Sequence, residues 1–284
     1  MSSVATTRAR LWAVMRRDGA VFGFTDHDRD LVMDGVTFRA GTGLSAGAIE
    51  RSTGLAVDNA SAAGALSDAG ITEEDIGAGR FDGAAVTAWE ADWRDLTDRR
   101  VTFRGTFGEI TRGGGAFEVE LRGLSEALNR PQGRVFQKLC PAVLGDGACG
   151  VDLGDARLSV ERTVEGVGDA ALSWDAFGGF DPGWFGRGRV VVLDGSAAGL
   201  SEAIRRDVSE GAGRRIELWA SLAIAPGAGD RVRIEAGCDK RFATCRAKFD
   251  NARRFRGFPD IPGEDWLQSY PVAKAGNDGG SLRS

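Results

Sequence analysis

The sequence predicts a mainly β protein with two β-barrel or sandwich modules, a few short helices and a C-terminal cysteine-bearing segment. Three observations lead there. Apolar and polar residues alternate with period two over many short stretches, the mark of half-buried strands. The 42 glycines are about twice an average share, and they are spread along the chain, as short strands joined by tight turns require. Two such strand-rich stretches, residues 1–128 and 154–236, flank a loop-like segment at 129–153 that reads as a cysteine-bearing linker. Residues 237–284 form a second cysteine-bearing segment and a tail.

In order along the chain, Arg8 to Arg17 alternates as a strand, Asp18-Gly19 is a hairpin turn signal, and Ala20 to Phe24 pairs back. Leu31-Val32-Met33, Asp34-Gly35 and Val36 to Ala40 make a shorter hairpin. Ile71 to Ile76 reads as a short helix with Thr72 as its cap and acids in its first turn. Ala85 to Trp93, Arg100 to Thr111 and Ala116 to Arg122 alternate as strands, and Gly123 to Leu128 reads as a short helix. Beyond the linker, strands are expected at Arg214 to Leu222 and Asp230 to Ile234, while Leu200 to Val208 fits strand or short helix. Ala247 to Phe255 reads as a helix, and Pro259, Pro262 and the Gly/Ser-rich tail then end regular structure.

The charge balance, 36 Lys and Arg against 41 Asp and Glu for a net of -5, argues against a dedicated nucleic-acid binder, although Lys240 to Arg256 is locally basic. No apolar run approaches the roughly 20 residues that span a bilayer, and Met1 to Ala5 carries no secretory pattern. A reducing compartment is therefore expected, where cysteines are metal ligands or free thiols more often than disulfides. His27 is the single histidine, which leaves a Ser-His-Asp triad, a Cys-His pair or a zinc-hydrolase ligand set with little material.

The four cysteines fall in two spaced pairs, Cys140 with Cys149 and Cys238 with Cys245. The spacings, Cys-x8-Cys and Cys-x6-Cys, match neither the Cys-x2-Cys knuckle of a zinc ribbon nor a Cys-x-x-Cys redox pair. Longer spacings suit a larger object, because a cubane iron–sulfur cluster spreads its thiolates over several ångströms. Lys240, Arg241, Arg246 and Lys248 would offset thiolate charge. On spacing alone, an iron–sulfur cluster, a zinc ion and four unconnected thiols all remain open.

The block from Gly237-Cys238-Asp239-Lys240-Arg241-Phe242-Ala243-Thr244-Cys245 through Phe255-Arg256-Gly257-Phe258-Pro259-Asp260-Ile261-Pro262-Gly263 closely resembles a family of phage-type tail proteins. These are the hub, or baseplate, proteins of long-tailed phages and of alphaproteobacterial gene transfer agents. Gly23-Phe24-Thr25-Asp26-His27-Asp28-Arg29-Asp30-Leu31 resembles the same family's other signature. The family is similar to the minor tail protein of lambda-like phages that holds an iron–sulfur cluster on four C-terminal cysteines. The resemblance implies Cys140, Cys149, Cys238 and Cys245 as ligands of a [4Fe-4S] cluster, with zinc as the alternative.

It implies a non-enzymatic virion structural protein, a homotrimer lining the channel through which DNA passes. A distal tail protein would lie above, a tail-tip or megatron-type protein below, and a tail-associated peptidase nearby. Its location would be the baseplate of a virion or virus-like particle tail, assembled in the bacterial cytoplasm with no stable membrane insertion. The alternatives are a tail-tip cell-wall hydrolase and a cytoplasmic iron–sulfur redox protein.

Other candidates have plainer readings. Asp26, His27, Asp28 and Asp30 resemble a metal or calcium loop but lack its central glycine and closing glutamate, and a polar turn explains them. Glu73, Glu74 and Asp75 complement a helix dipole. Trp174, Phe180 and Trp184 suit a carbohydrate or protein contact as well as a core lid. Arg241, Lys248, Arg253, Arg254 and Arg256 suit a nucleic-acid contact or local electrostatics, with Phe242, Phe249 and Phe255 at spacings fit for packing.

Overall fold

The computed structural model describes residues 7–41, 45–46, 59–65, 71–113, 116–124 and 133–261. It divides into two compact units. The first comprises Met1–Gln132 with Asp194–Leu200 and Leu222–Pro226; the second comprises Gly133–Leu193, Ser201–Ser221 and Gly227–Ser284. Residues 133–153, which the sequence presents as a linker, thus belong to the same unit as the C-terminal cysteine block.

The first unit carries a nine-stranded sheet. Its strands are β1 (Arg8–Met15), β2 (Val21–Thr25), β3 (Leu31–Met33), β4 (Val36–Arg39), β5 (Ser45–Ala46), β6 (Asn59–Ala65), β7 (Ala85–Asp92), β8 (Asp95–Gly113) and β9 (Ala116–Gly123). The order is β3-β4-β2-β1-β7-β8-β9-β6-β5. Every described pairing is antiparallel except β2 with β4, where Gly23 faces Phe38. Gly23 is needed there because a Cβ would run into the Thr37 carbonyl.

β1 lies inside the sheet and buries both faces. Trp12 and Val14 join Phe24, Val86, Phe103, Phe107, Val119 and Leu121 on one side. Ala9 and Leu11 join Met33, Phe38 and Ala91 on the other. The near-continuous apolar run Leu11 to Val14 is the sequence trace of that double burial. The short helix α1 (Glu73–Gly77) starts where expected, with Thr72 Oγ1 accepting the Asp75 N–H at 3.1 Å. Of the short helix expected at Gly123 to Leu128, residues 125–128 lie outside the described residues.

The second unit carries a seven-stranded sheet in the order β10-β16-β13-β14-β15-β12-β11. Its strands are β10 (Ser159–Thr163), β11 (Gly166–Gly168), β12 (Ala171–Trp174), β13 (Arg189–Val192), β14 (Ser201–Glu210), β15 (Gly213–Leu218) and β16 (Arg231–Glu235). The ambiguous Leu200 to Val208 stretch is therefore strand. β14 changes partner along its length: Ser201 to Ala203 pair with β13, and Ile204 onward pair with β15 across a register shift. A bulge of this kind bends a sheet back over its own core. Leu172, Val190, Ile204, Ile216, Val232 and Ile234 are buried beneath it.

An ion pair lies in that interior. The side chains of Arg214 and Asp207 are 1% and 0% exposed. Arg214 Nε and Nη2 donate to the two Asp207 oxygens at 2.6 and 2.7 Å. The same guanidinium donates to the carbonyls of Phe180 and Asp181, and Asp207 Oδ2 also accepts the Phe185 N–H at 2.8 Å. The guanidinium carbon lies 5.0 Å from the Phe177 ring centroid and 4.9 Å from that of Phe185. The pair thus pins the aromatic loop between β12 and β13 onto the sheet.

The C-terminal helix differs from expectation. Instead of Ala247 to Phe255, α2 spans Phe242–Phe249, and a single 3-10 turn follows at Ala252–Arg254. Asp250 takes a left-handed conformation at φ 48° and its N–H closes on the Cys245 carbonyl, ending the helix. No described helix is long and apolar enough to cross a membrane.

Truncating Arg214 to Ala leaves a buried carboxylate uncompensated and should cost about 3–5 kcal/mol of unfolding free energy in urea titrations. The paired replacement Arg214→Met with Asp207→Leu should cost much less, because no charge is then stranded.

Candidate functional site

All four cysteines line one small chamber in the second unit, with Ala142, Leu144, Val151, Phe249 and Phe255 as apolar wall. Lys240, Asn251 and Arg254 supply its polar lining. The water-accessible space left among these side chains is about 10 Å³. Among the described residues, no three His, Cys, Asp or Glu side chains converge closely enough to hold a single metal ion.

Each cysteine is held by identifiable chemistry. Asp146 forms the first loop: its carboxylate accepts the Cys149 N–H at 2.6 Å and the Val143 N–H at 2.9 Å. These bonds, led by that of Cys149, hold its carboxyl below the usual range. Cys140 N–H donates to the Lys240 carbonyl at 2.9 Å. Lys240 itself is left-handed at φ 65°, which lets its N–H reach Cys238 Sγ at 3.4 Å while its ammonium donates to the Ala142 carbonyl at 2.6 Å.

Asp239 organises the start of α2, accepting the Arg241 N–H at 3.0 Å and the Thr244 hydroxyl at 2.9 Å. That places Cys245, the buried member of the four, on the helix flank facing the chamber. Asn251 then ties both halves together: Nδ2 donates to the Cys149 carbonyl at 2.9 Å and lies 3.8 Å from Cys149 Sγ. Its own carbonyl accepts the Cys245 thiol at 3.4 Å. Immediately before Cys238, Gly237 leaves no room for a side chain, since a Cβ would collide with the Gly186 carbonyl.

Burial raises the Cys245 thiol to about 11, with the other three cysteines adding to the effect. Burial also raises Cys238, against the opposing Lys240 N–H. Burial therefore favours the neutral thiols of Cys238 and Cys245 when no cation is present, and a thiophilic cation would displace their protons. The donor chemistry fits such a group: four soft sulfurs with no carboxylate or imidazole in the lining. The Lys240 and Asn251 N–H groups are placed to tune those sulfurs.

Residues 1–152 match the family model described as "Baseplate hub protein, N-terminal attachment domain". Residues 183–265 match a second, described as a phage conserved hypothetical protein. A solved structure of the "Virion of native gene transfer agent (GTA) particle" contains a chain 53% identical to this one. The match covers 99% of this chain and 97% of that one, with a TM-score of 0.91. This chain belongs to the baseplate hub protein family. Comparison with curated proteins found no match.

The other candidate residues of the hub chain have local structural work. His27 Nδ1 accepts the Arg29 N–H at 3.1 Å, and its ring packs 5.1 Å from Trp93. Asp26 accepts the Arg10 N–H and Asp30 the Ala40 N–H, so both carboxylates brace backbone. Asp75 pairs with Arg16 and Arg80. Trp174 is buried and donates Nε1–H to the Thr163 carbonyl, which favours the core-lid reading for that part of the aromatic loop.

The basic stretch divides. Lys248 turns inward, donating to the carbonyls of Trp184 at 2.5 Å and Gly237 at 2.9 Å, with its ammonium 4.2 Å from the Trp184 ring centroid. Arg256 donates to the Ala148 carbonyl at 3.3 Å. Phe242 stacks edge-on against Phe255 at 5.2 Å.

The sequence reading missed Asp146, Asp239 and Asn251 as organisers of the hub's thiol chamber. Asp146 stands three residues before Cys149 and Asp239 directly after Cys238, both in loops where Asp commonly accepts following backbone N–H groups. Asn251 carried no such signal.

In the metal-free hub chain, Cys245 should be the slowest of the four thiols to react with iodoacetamide near neutral pH, because it is both buried and shifted furthest toward the protonated form. Peptide mapping of alkylated cysteines over time reads this directly.

Proposed function

We propose that this chain is the structural hub of a gene-transfer-agent or siphophage-like tail. It joins the tail tube or distal tail ring to the tip, and copies of it, as a homotrimer, surround the channel by which DNA leaves. The observation that carries this reading is the 53% identity over 99% of the chain to a component of a gene transfer agent virion. A net charge of -5 suits a wall past which phosphates must slide without being gripped. The neighbours are a distal tail protein above, a tail-tip or megatron-type protein below and a tail-associated peptidase.

The role is architectural instead of enzymatic. The carboxylate of Asp75 is engaged in ion pairs and that of Asp26 braces backbone, while His27 is occupied by a backbone N–H.

Cys140, Cys149, Cys238 and Cys245 would hold an iron–sulfur cluster of the [4Fe-4S] kind. When bound, it supplies a covalent cross-link between two loops far apart in sequence. Zinc is the less favoured occupant. It needs four sulfurs within about 2.3 Å of one point, whereas a cubane spreads its ligands over several ångströms. The protein's own part is to fix the backbone of all four cysteines through Asp146, Asp239, Lys240 and Asn251, and to exclude bulk water with Phe249 and Phe255.

Protein purified without oxygen should be brown, with a broad absorption band near ~400 nm and about four irons and four sulfides per chain. Cys245→Ser should lose the colour. Colourless protein carrying zinc would replace the cluster but keep the cross-link. In particles, deleting the hub should yield tails that lack tip proteins by mass spectrometry. Complete tips without it would defeat the hub assignment.

A further inference from the structure

The chamber shares a wall with a second cavity of about 270 Å³ in the same unit. Cys238 and Lys240 line both. The second cavity opens to solvent beside the exposed residues Arg187, Arg189, Ser201 and Ala203. Leu144 also belongs to both linings.

The charge of this cleft is biased. Arg187, Arg189 and Lys240 face Glu202 and Glu235. Glu235 is already engaged by Arg189 at 2.8 Å and by Arg233 at 3.1 Å. A small anion is therefore favoured in the cleft, and Cys238 is the sulfur it would meet.

We propose that this cleft is the route by which the thiol chamber is filled. It admits small anionic thiolate complexes of a thiophilic metal, and Cys238 is the first cysteine to bind. The inference rests on the metal-holding reading of the chamber. The step is a ligand exchange with no change of oxidation state. The Cys238 sulfur forms a bond to the metal, the bond to one donor thiolate breaks, and the Cys238 proton leaves with that thiolate as free thiol. Cys140, Cys149 and Cys245 repeat the exchange from within.

The test uses the full-length, metal-free chain under anaerobic conditions. Iron is supplied as a preformed [4Fe-4S] core ligated either by mercaptosuccinate, whose carboxylates add negative charge, or by 2-mercaptoethanol, which adds none. Thiolate-to-iron absorption is followed by stopped flow. Ala203→Trp and, separately, Ser201→Trp fill the cleft from exposed positions on β14 without touching the chamber. Each should reach the wild-type absorbance amplitude with the rate lowered by at least about tenfold.

Arg187→Asn keeps a residue tolerant of the left-handed backbone seen there (φ 67°). It should slow loading from the highly charged mercaptosuccinate complex by about tenfold and leave loading from the mercaptoethanol complex within about twofold of wild type. Wild-type rates in both tryptophan variants, at full amplitude, would overturn the access route while leaving the metal site standing. A wild-type chain that takes up iron from neither complex would overturn the metal reading and this proposal with it.

Discussion

The second unit depends on a tie between two loops about a hundred residues apart in sequence. Cys140 N–H bonds to the Lys240 carbonyl, Lys240 Nζ to the Ala142 carbonyl, Asn251 Nδ2 to the Cys149 carbonyl and Phe258 N–H to the Gln137 carbonyl. None of these bonds belongs to a sheet ladder. Loop backbone withdrawn from water needs partners for its polar groups, and here each loop completes the other. The four thiols stand where the loops meet, so a metal group held there would reinforce a junction that hydrogen bonds have already drawn.

The Arg214–Asp207 pair plays a related part in the interior of the same unit. Burying two charges is costly unless every donor and acceptor finds a partner, and here the guanidinium meets the Asp207 carboxylate and two carbonyls. What it secures is the position of the loop running to Trp184 and Phe185. Trp184 in turn offers its carbonyl to Lys248 on α2 and to the Gly237 N–H beside Cys238. The sheet interior and the thiol chamber are thus joined through one aromatic loop.

Much of this was legible in the sequence, for definable reasons. Strands such as β7 and β15 carry period-two alternation that burial of one face imposes, and Thr72 announces α1 by capping chemistry. The four cysteines were legible as a set because so few other residues could carry chemistry. The boundary of α2 was not legible. It depends on Asp250 turning left-handed to bring Asn251 against Cys149, a demand made by a loop a hundred residues earlier. The same distance hid Asn251 as an organiser. The switch of β14 between two partners was hidden too, because alternation reports which face is buried and not which neighbour a strand takes.

The order in which the chain leaves the ribosome gives the loop tie a further meaning. Cys140 and Cys149 emerge well before Cys238 and Cys245, and the strands β10 to β16 are made in between. Contacts of such long sequence separation form late, after the intervening chain has paid its ordering entropy. The chamber is therefore completed late, once the whole chain of the second sheet has been made. A metal group seated there would act as a seal of quality, present on finished subunits and missing from truncated or misfolded ones before they reach a growing tail.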